Sequence, residues 1–217
     1  MDKRFQNIKV LIWDFDGTFF IPNQKLWDVV RQGEYRTIMN HTGWTMEKTV
    51  KEFNKYYKTV THSATQTVAY LSNISTCDAA LEMEEYYDRR KFVQRDARLT
   101  RLFRKLTMYD HYILANGVKK KLIQTMEVLG ISHTLFKEIV TSETVGENKP
   151  SKKGFLYILQ KTGLLPGQHL MIGDREKVDI VPAKSLGIKT CLVWSEEKNS
   201  VADVTLSSVY DVERVLI

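Results

Sequence analysis

KVLIWDFDGTFF, residues Lys9 to Phe20, joins an apolar run to two closely spaced acids. The apolar part is short and rich in β-branched and bulky residues, which predicts a fully buried strand over residues 8–14. The run ends abruptly in Asp14, and Asp16 follows two residues later. Gly17 comes next, and a glycine allows the backbone a tight turn there. The pattern therefore places two carboxylates just beyond the end of a buried strand.

Beyond residue 95, apolar runs of strand length alternate with patterns of helical spacing. The helical patterns end at Gly130 and Gly163, which are typical C-terminal glycines. Strands separated by helices predict βαβ units and a mostly parallel sheet. The candidate strands after the first are residues 112–115, 138–141, 169–173 and 189–194.

Between about residues 24 and 92 the pattern is helical, and it contains no convincing strand. One predicted helix starts after Thr45 as N-cap, and Thr76 is the candidate N-cap of a later one. In the helix that starts after Thr45, apolar residues at steps of three and four indicate a single face, formed by Met46, Val50, Phe53, Tyr57 and Val60. We predict an α/β fold with a Rossmann-like, mostly parallel sheet core (residues 1–19 and 95–217) and an inserted α-helical domain (residues 20–94).

Length and composition are typical of a globular protein with one core and a smaller insertion. The chain has 217 residues, a net charge of +6 and two cysteines, too few for a disulfide framework. Its basic residues are spread in short groups such as DRRK (88–91), so we expect a solvated basic surface and no nucleic acid partner.

No apolar run approaches the roughly 20 residues of a membrane span, and the N-terminus has no signal-peptide pattern. We expect no membrane partner and a cytoplasmic location; the oligomeric state is not readable.

Polar residues follow three of the predicted strands. They are Asp14 and Asp16, the run Ala115-Asn116-Gly117, and Asp174 after Gly173. In a parallel sheet these strand ends meet at one edge, where ligands bind. Several carboxylates there repel one another, and Mg²⁺, which prefers oxygen ligands, relieves that repulsion. A cation beside a reactive carboxylate suits a phosphoryl group, and Lys149 offers a second positive charge.

These segments resemble the motifs of the haloacid dehalogenase-like hydrolase superfamily, whose members are mostly Mg²⁺-dependent phosphatases. WDFDGT (13–18) resembles the first motif, KPSKKGF (149–155) the lysine motif, and IGDREKVDIVPAKSLGI (172–188) the acidic motif. The helical insertion resembles the α-helical cap of the phosphoglycolate phosphatase-like branch. The motifs span most of the chain and are specific for the superfamily, but they do not identify the substrate.

The resemblance implies a role for each matching residue. Asp14 is expected to attack phosphorus and form an aspartyl phosphate, and Asp16 to act as general acid and then general base. Mg²⁺ is expected to bind Asp14, the backbone carbonyl of Asp16, and Asp174, with Asp179 supporting the site. Lys149 is expected to balance charge at the phosphate. The remaining expected phosphate-binding positions are Asn116 and Gly117.

One position departs from the family pattern and keeps other functions open. The second motif ends its strand in Thr or Ser, but here the residue is Ala115, which has no hydroxyl for a phosphoryl oxygen. The leading prediction is a phosphatase for a small phosphorylated metabolite, such as a sugar phosphate or a nucleotide. The alternative is a vestigial protein that binds a phosphorylated ligand or a protein without efficient catalysis. A phosphotransferase or phosphomutase remains open, whereas Asp16 disfavours a true dehalogenase.

The inserted helical domain is expected to set specificity, because a cap closes over the leaving group. The sequence offers five candidate pocket residues in it, although residues of each type are more often found in ordinary packing or at the surface. They are Trp27, Arg31, Tyr35, His41 and Trp44.

Overall fold

Six parallel strands form a sheet at the centre of the molecule. The computed structural model describes residues 3–61 and 63–217, without the side chains of residues 60 and 61. The strands are β1 (Val10–Trp13), β2 (Asp110–Leu114), β3 (Phe136–Val140), β4 (His169–Gly173), β5 (Lys189–Leu192) and β6 (Val204–Thr205). Their order is β3-β2-β1-β4-β5-β6, and every neighbouring pair is parallel. Strands β2 and β3 lie on one side of β1, and strands β4, β5 and β6 lie on the other. Strand β1 is therefore central, and Asp14 follows it.

Strand β1 is buried on both faces, as its continuous apolar run predicts. Leu11 and Trp13 pack into a large apolar cluster on one face, and Val10 and Ile12 into a second cluster on the other. Side chains alternate between the two faces of a strand, so these four residues fix β1 between both layers of helices.

Helices cover the two faces of the sheet. The core helices are α5 (Ala97–Lys105), α6 (Lys119–Leu129), α7 (Ser142–Val145), α8 (Lys153–Thr162), α9 (Val181–Lys184) and α10 (Val212–Leu216). Shorter 3₁₀ turns span Lys3–Phe5, His133–Leu135, Pro166–Gln168 and Val209–Asp211, and a π-helical turn spans Glu176–Ile180. Helices α6 and α8 end at Gly130 and Gly163, both in the left-handed conformation, as predicted.

The chain between β1 and β2 is helical, and we call Gln24–Lys91 the helical segment. It contains α1 (Gln24–Thr42), α2 (Met46–Tyr56), α3 (Ala64–Ser72) and α4 (Thr76–Met83), with a π-turn at Tyr57–Thr61 and a 3₁₀ turn at Arg89–Lys91. The described residues of this segment form no strand. It has its own apolar cluster, which includes Ile38, Phe53 and Val68. The predicted position of Val60 on the α2 face involves a side chain outside the described ones.

The helix caps were predicted well, with one error. Thr45 caps α2 by accepting a hydrogen bond from the Lys48 N–H, as expected. The cap of α4 is Ser75, which accepts from the Asp78 N–H, so the prediction of Thr76 was wrong by one residue. Both residue types favour this position, so sequence alone did not separate them.

The predicted fold class is confirmed: the core is an α/β, Rossmann-like parallel sheet. The two-residue strand β6 was not predicted, because Val204 and Thr205 are too few to give a periodic signal. Within residues 3–61 and 63–217, no helix combines the length and apolar character that a membrane span requires.

Candidate active site

Asp14 lies at the carboxyl end of β1 and is almost completely buried. Its Oδ1 accepts a hydrogen bond from the Phe15 N–H at 2.7 Å and lies 2.7 Å from the Lys149 Nζ. Its Oδ2 has no hydrogen-bond partner among the described residues, although it too is buried. A buried carboxylate oxygen without a partner is energetically unfavourable, so Oδ2 is well suited to meet a ligand.

Lys149 lies between two carboxylates. Its Nζ is 2.7 Å from Asp14 and 2.6 Å from Asp179, and its side chain is fully buried. A buried ammonium group requires such charge partners to offset its desolvation. The side-chain amide of Asn116 holds the Lys149 backbone by two reciprocal hydrogen bonds of 2.8 Å. Asn116 therefore positions Lys149, and its side-chain amide is already bonded.

Two glycines let the acidic residues approach one another. Gly17 has a φ of +85°, and a Cβ atom there would overlap the Asp174 carboxylate. A Cβ atom on Gly173 would lie 2.6 Å from the Asp179 Oδ2. Carboxylates occupy the space beside the backbone at Gly17 and Gly173. This explains why both motifs contain glycine at these positions.

Asp14, Asp174 and Asp179 form an acidic cluster. Each offers one carboxylate oxygen, and these three oxygens lie within 4.8 Å of one another. Burial, reinforced by the charges of Asp14 and Asp179, raises the pKa of Asp174 to about 8. Burial, followed by the charge of Asp14, also raises the pKa of Asp179. Such a cluster favours protonation or the binding of a cation.

The donor set of the cluster fits a hard divalent cation. Asp14 Oδ2 and Asp174 Oδ1 are both buried without a hydrogen-bond partner among the described residues. Asp179 is already engaged, because its Oδ1 contacts Lys149 and its Oδ2 accepts from the Arg175 N–H at 3.0 Å. Two carboxylates that keep free oxygens, supplemented by water, match the coordination that Mg²⁺ prefers.

The side chain of Asp16 lies outside this cluster and contacts the helical segment instead. The Arg89 Nε donates to both Asp16 oxygens, at 3.0 and 3.1 Å. The Arg89 NH1 donates to Glu84 at 2.5 Å, and Glu84 accepts from the Val118 N–H at 3.0 Å. Burial raises the pKa of Glu84, although Arg89 opposes that shift. This network ties the helical segment to the loops after β1 and β2.

Sequence reasoning missed Arg89 and Glu84. The DRRK group suggested only a solvated surface, yet Arg89 is 7% exposed whereas its neighbour Arg90 is exposed. Nothing in the sequence distinguishes the two arginines.

A cavity of about 90 Å³ lies between the acidic residues and the helical segment. Asp16, Asp174 and Arg175 line its core side, and mainly apolar side chains line the other side. Glu34 and Glu84 are the acidic side chains there. Burial raises the pKa of Glu34 to about 7, although Arg31 opposes the shift. The Glu34 and Arg31 side chains approach to 2.8 Å.

Only one of the five candidate pocket residues lines the described cavity, and it is Trp27. Arg31 stacks on Phe53, and Tyr35 packs in the apolar cluster of the helical segment. His41 instead pairs with Glu82 at 2.7 Å, and Trp44 packs beside the same cluster.

Ala115 follows β2 and is 3% exposed. It packs in the large apolar cluster and is not among the described residues that line the cavity. The position that carries a hydroxyl in the family motif is therefore an apolar packing position in this chain.

Comparison with known proteins identifies relatives that act on phosphate esters. The chain is 30% identical over 113 residues to glyceraldehyde 3-phosphate phosphatase from Methanothermobacter thermautotrophicus, covering 48% of this chain and 50% of that protein. It is 32% identical over 109 residues to pyrimidine 5'-nucleotidase YjjG from Escherichia coli, covering 48% of each. The chain thus spans about half the length of the curated relatives it matches.

The fold also matches solved structures. HAD-hydrolase YfnB from Bacillus subtilis, solved with bound magnesium, superposes with a TM-score of 0.63 and 21% identity, covering 96% of this chain and 98% of that one. At this identity the likeness establishes the fold alone. The model of the haloacid dehalogenase-like hydrolase family matches residues 11–193, from β1 to the residue after β5. The chain belongs to the haloacid dehalogenase-like hydrolase family.

Proposed function

We propose that the chain is a Mg²⁺-dependent phosphatase that hydrolyses a small phosphomonoester through an aspartyl-phosphate intermediate. The observation that carries this proposal is the state of Asp14. One of its oxygens is held by Lys149 and the Phe15 N–H, while Oδ2 is buried beside Asp174 without a hydrogen-bond partner among the described residues. A carboxylate that is fixed on one side and open on the other is prepared for nucleophilic attack.

The chain's own residues account for both chemical steps. In the first, an Asp14 oxygen bonds to phosphorus, the ester bond breaks, and Asp16 gives its proton to the leaving oxygen. In the second, Asp16 takes a proton from water, the water oxygen bonds to phosphorus, and the Asp14–phosphorus bond breaks. Lys149 pairs with the Asp14 carboxylate and offsets the charge of the phosphoryl group.

Asp14 and Asp174, with the backbone carbonyl of Asp16 and with Asp179 in support, would hold Mg²⁺. The ion would neutralise phosphate charge that develops in the transition state. Two features support this assignment: the acidic cluster, in which Asp174 Oδ1 has no hydrogen-bond partner among the described residues, and the raised pKa of Asp174. The backbone around Asn116 and Gly117, at the end of β2, completes the proposed phosphate site.

We propose a small phosphorylated metabolite as the substrate and the helical segment as the cap over it. A cavity of about 90 Å³ favours a compact leaving group in this arrangement of the two parts. The named substrates of the relatives, a triose phosphate and pyrimidine nucleotides, are two classes to test first.

A second candidate function is favoured by Ala115. Its lack of a hydroxyl is compatible with a vestigial member of the family that binds a phosphorylated ligand or a protein without efficient turnover. The cost of the missing hydrogen bond is about 1–3 kcal/mol, which slows a reaction by one or two orders of magnitude but does not abolish it. Asp14, Asp16, Lys149 and Asp174 are all present, so we rank the enzyme first.

Phosphate release from a panel of sugar phosphates and nucleotides, with and without Mg²⁺, tests the proposal. We expect Mg²⁺-dependent release by the wild type and none by Asp14→Asn, while exposed Asp28→Asn retains the wild-type rate. Circular dichroism confirms that each variant is folded. Release by a folded Asp14→Asn variant at the wild-type rate would refute the assignment of the nucleophile.

A further inference from the structure

Arg175 is an additional cation at the nucleophile; it lies within the acidic motif (172–188), but the family resemblance assigned it no role. It follows Asp174 directly, and its NH2 lies 3.9 Å from the Asp14 Oδ2, the oxygen that has no hydrogen-bond partner in the described part of the chain. This distance is too long for a hydrogen bond, so the guanidinium faces Asp14 without being bonded to it. A phosphoryl group that contacts Oδ2 would come within reach of the guanidinium donors.

The other cations of the site are already engaged. Lys149 is fully buried between Asp14 and Asp179, and Arg89 is bonded to Asp16 and Glu84. Arg175 differs, because 37% of its side chain is exposed and it lines the cavity. Its guanidinium makes no hydrogen bond to a residue within 3–61 or 63–217.

The backbone of Arg175 is held by a hydrogen bond, whereas its guanidinium makes none among the described residues. Its N–H donates to the Asp179 Oδ2 at 3.0 Å, immediately before the π-helical turn Glu176–Ile180. The side chain therefore starts from a rigid point beside the acidic cluster. Guanidinium groups bind phosphate oxygens through two parallel N–H donors, which a single hydroxyl cannot do.

We propose that Arg175 is a catalytic residue that binds the transferring phosphoryl group and supplies the donor that Ala115 lacks. The proposal rests on the phosphatase function argued above. The competing explanation is that Arg175 only balances the charge of the three aspartates. The two explanations differ in what Arg175 binds, so they can be separated by binding measurements.

The test compares Arg175→Gln and Arg175→Lys with Arg101→Gln, a control with the same charge change at an exposed position on α5. Isothermal titration calorimetry gives the Kd of orthophosphate and of orthovanadate in saturating Mg²⁺, and the Kd of Mg²⁺ alone. We expect Arg175→Gln to weaken orthovanadate binding roughly 10- to 100-fold, and Arg175→Lys to weaken it less. Mg²⁺ affinity should hold or increase, because a neighbouring positive charge is removed.

Unchanged orthophosphate and orthovanadate affinities in Arg175→Gln would overturn the proposal and leave charge balance as the role of Arg175. This titration needs no turnover, so it decides the role of Arg175 even if the wild type hydrolyses nothing in the substrate panel. A wild type that hydrolyses nothing in the panel would count against the phosphatase function alone.

The link to Ala115 has its own test. Ala115→Thr should raise orthovanadate affinity by a larger factor in the Arg175→Gln background than in the wild type, because one donor then substitutes for the other. Equal factors in the two backgrounds would show that the two positions act independently and would overturn the compensation.

Discussion

The Arg89 Nε donates hydrogen bonds to both carboxylate oxygens of Asp16, at 3.0 and 3.1 Å. Arg89 belongs to the helical segment and Asp16 to the loop after β1, so this contact joins the proposed cap to the proposed acid and base. Glu84 holds the other side of the guanidinium at 2.5 Å. The position of Asp16 therefore depends on how the helical segment lies on the core.

We predict that Arg89→Lys lowers turnover of alkyl phosphates roughly 10-fold or more, because lysine cannot hold both oxygens of Asp16. The loss should be much smaller for p-nitrophenyl phosphate, whose leaving oxygen needs little protonation. Steady-state kinetics with both substrates measures the difference, which a loss of folding alone would not produce.

Arg90→Lys is the matched control. Arg90 is the next residue, is exposed, and pairs with Asp88 at 2.8 Å away from the site. Arg90→Lys should change the turnover of neither substrate. If Arg89→Lys reduces turnover of both substrates by the same factor, then Arg89 does not act through the proton of Asp16.

We predict that Asp174→Asn raises the melting temperature in the absence of Mg²⁺ and removes the Mg²⁺-dependent increase. Burial and the charges of Asp14 and Asp179 raise the pKa of Asp174 to about 8, so its ionised form is unfavourable in the fold. Without metal, stability should fall as pH rises from about 4 towards 8, since the unfolded chain releases this proton first. In the wild type, Mg²⁺ should reverse the loss by binding the folded state.

Thermal unfolding with EDTA or with Mg²⁺ measures both effects. The gain without metal should be at least about 1 kcal/mol, which corresponds to roughly 2–4 °C for a chain of this size. Asp28→Asn, an exposed position on α1, should alter neither curve. An undiminished Mg²⁺ increment in Asp174→Asn would place the metal elsewhere.

Glu34 gives a separate dependence of stability on pH. It is 3% exposed in the helical segment, and burial raises its pKa to about 7 although Arg31 opposes the shift. Because the pKa in the folded state is raised, its contribution is favourable below about pH 4.5 and is lost as pH rises through 7. We predict that Glu34→Gln stabilises the protein by about 1–3 kcal/mol at pH 8 and has little effect at pH 4.5.

Chemical denaturation at the two pH values measures this difference. Exposed Glu47→Gln on α2 is the matched control and should show no such pH dependence. Equal effects of Glu34→Gln at both pH values would mean that folding does not raise the pKa of Glu34.

The strands and the acidic cluster were predictable because their signals are local. A buried parallel strand is a continuous apolar run, and the acids follow it directly, so Asp14 and Asp174 could be placed at one edge of the sheet from sequence. The roles assigned to them remain a prediction. The tight turn at Gly17 was predictable too, and this glycine has a positive φ in the structure.

The contacts between the helical segment and the core could not be predicted. Arg89 reaches Asp16 across 73 residues, and Glu84 reaches the Val118 N–H across 34. Such contacts depend on the angle at which one group of helices lies on the sheet, and no residue pattern encodes that angle. The same limitation explains why only Trp27, among five candidates in the helical segment, lines the cavity.

The last prediction separates a slow enzyme from a vestigial binder by comparing Ala115→Thr with Ala115→Val. Ala115 packs in an apolar cluster, so either residue adds bulk there, at a cost of about 1–3 kcal/mol in stability. Threonine and valine have nearly the same shape, so the ratio of their rates isolates the hydroxyl. If the site is catalytic, Thr should exceed Val in turnover by roughly 10-fold or more, since the hydroxyl meets a charged phosphoryl oxygen.

Melting temperatures give an independent comparison of Ala115→Thr and Ala115→Val. Without ligand, Ala115→Thr should be less stable than Ala115→Val, because its hydroxyl is buried in apolar surroundings. Saturating Mg²⁺ and orthovanadate should close this gap in melting temperature, since the bound anion then accepts the hydroxyl hydrogen bond. If the two variants have equal turnover and the gap persists with orthovanadate, the hydroxyl does not reach the anion. Ala115 then marks a site that has diverged from phosphate transfer, and the binding function becomes the better explanation.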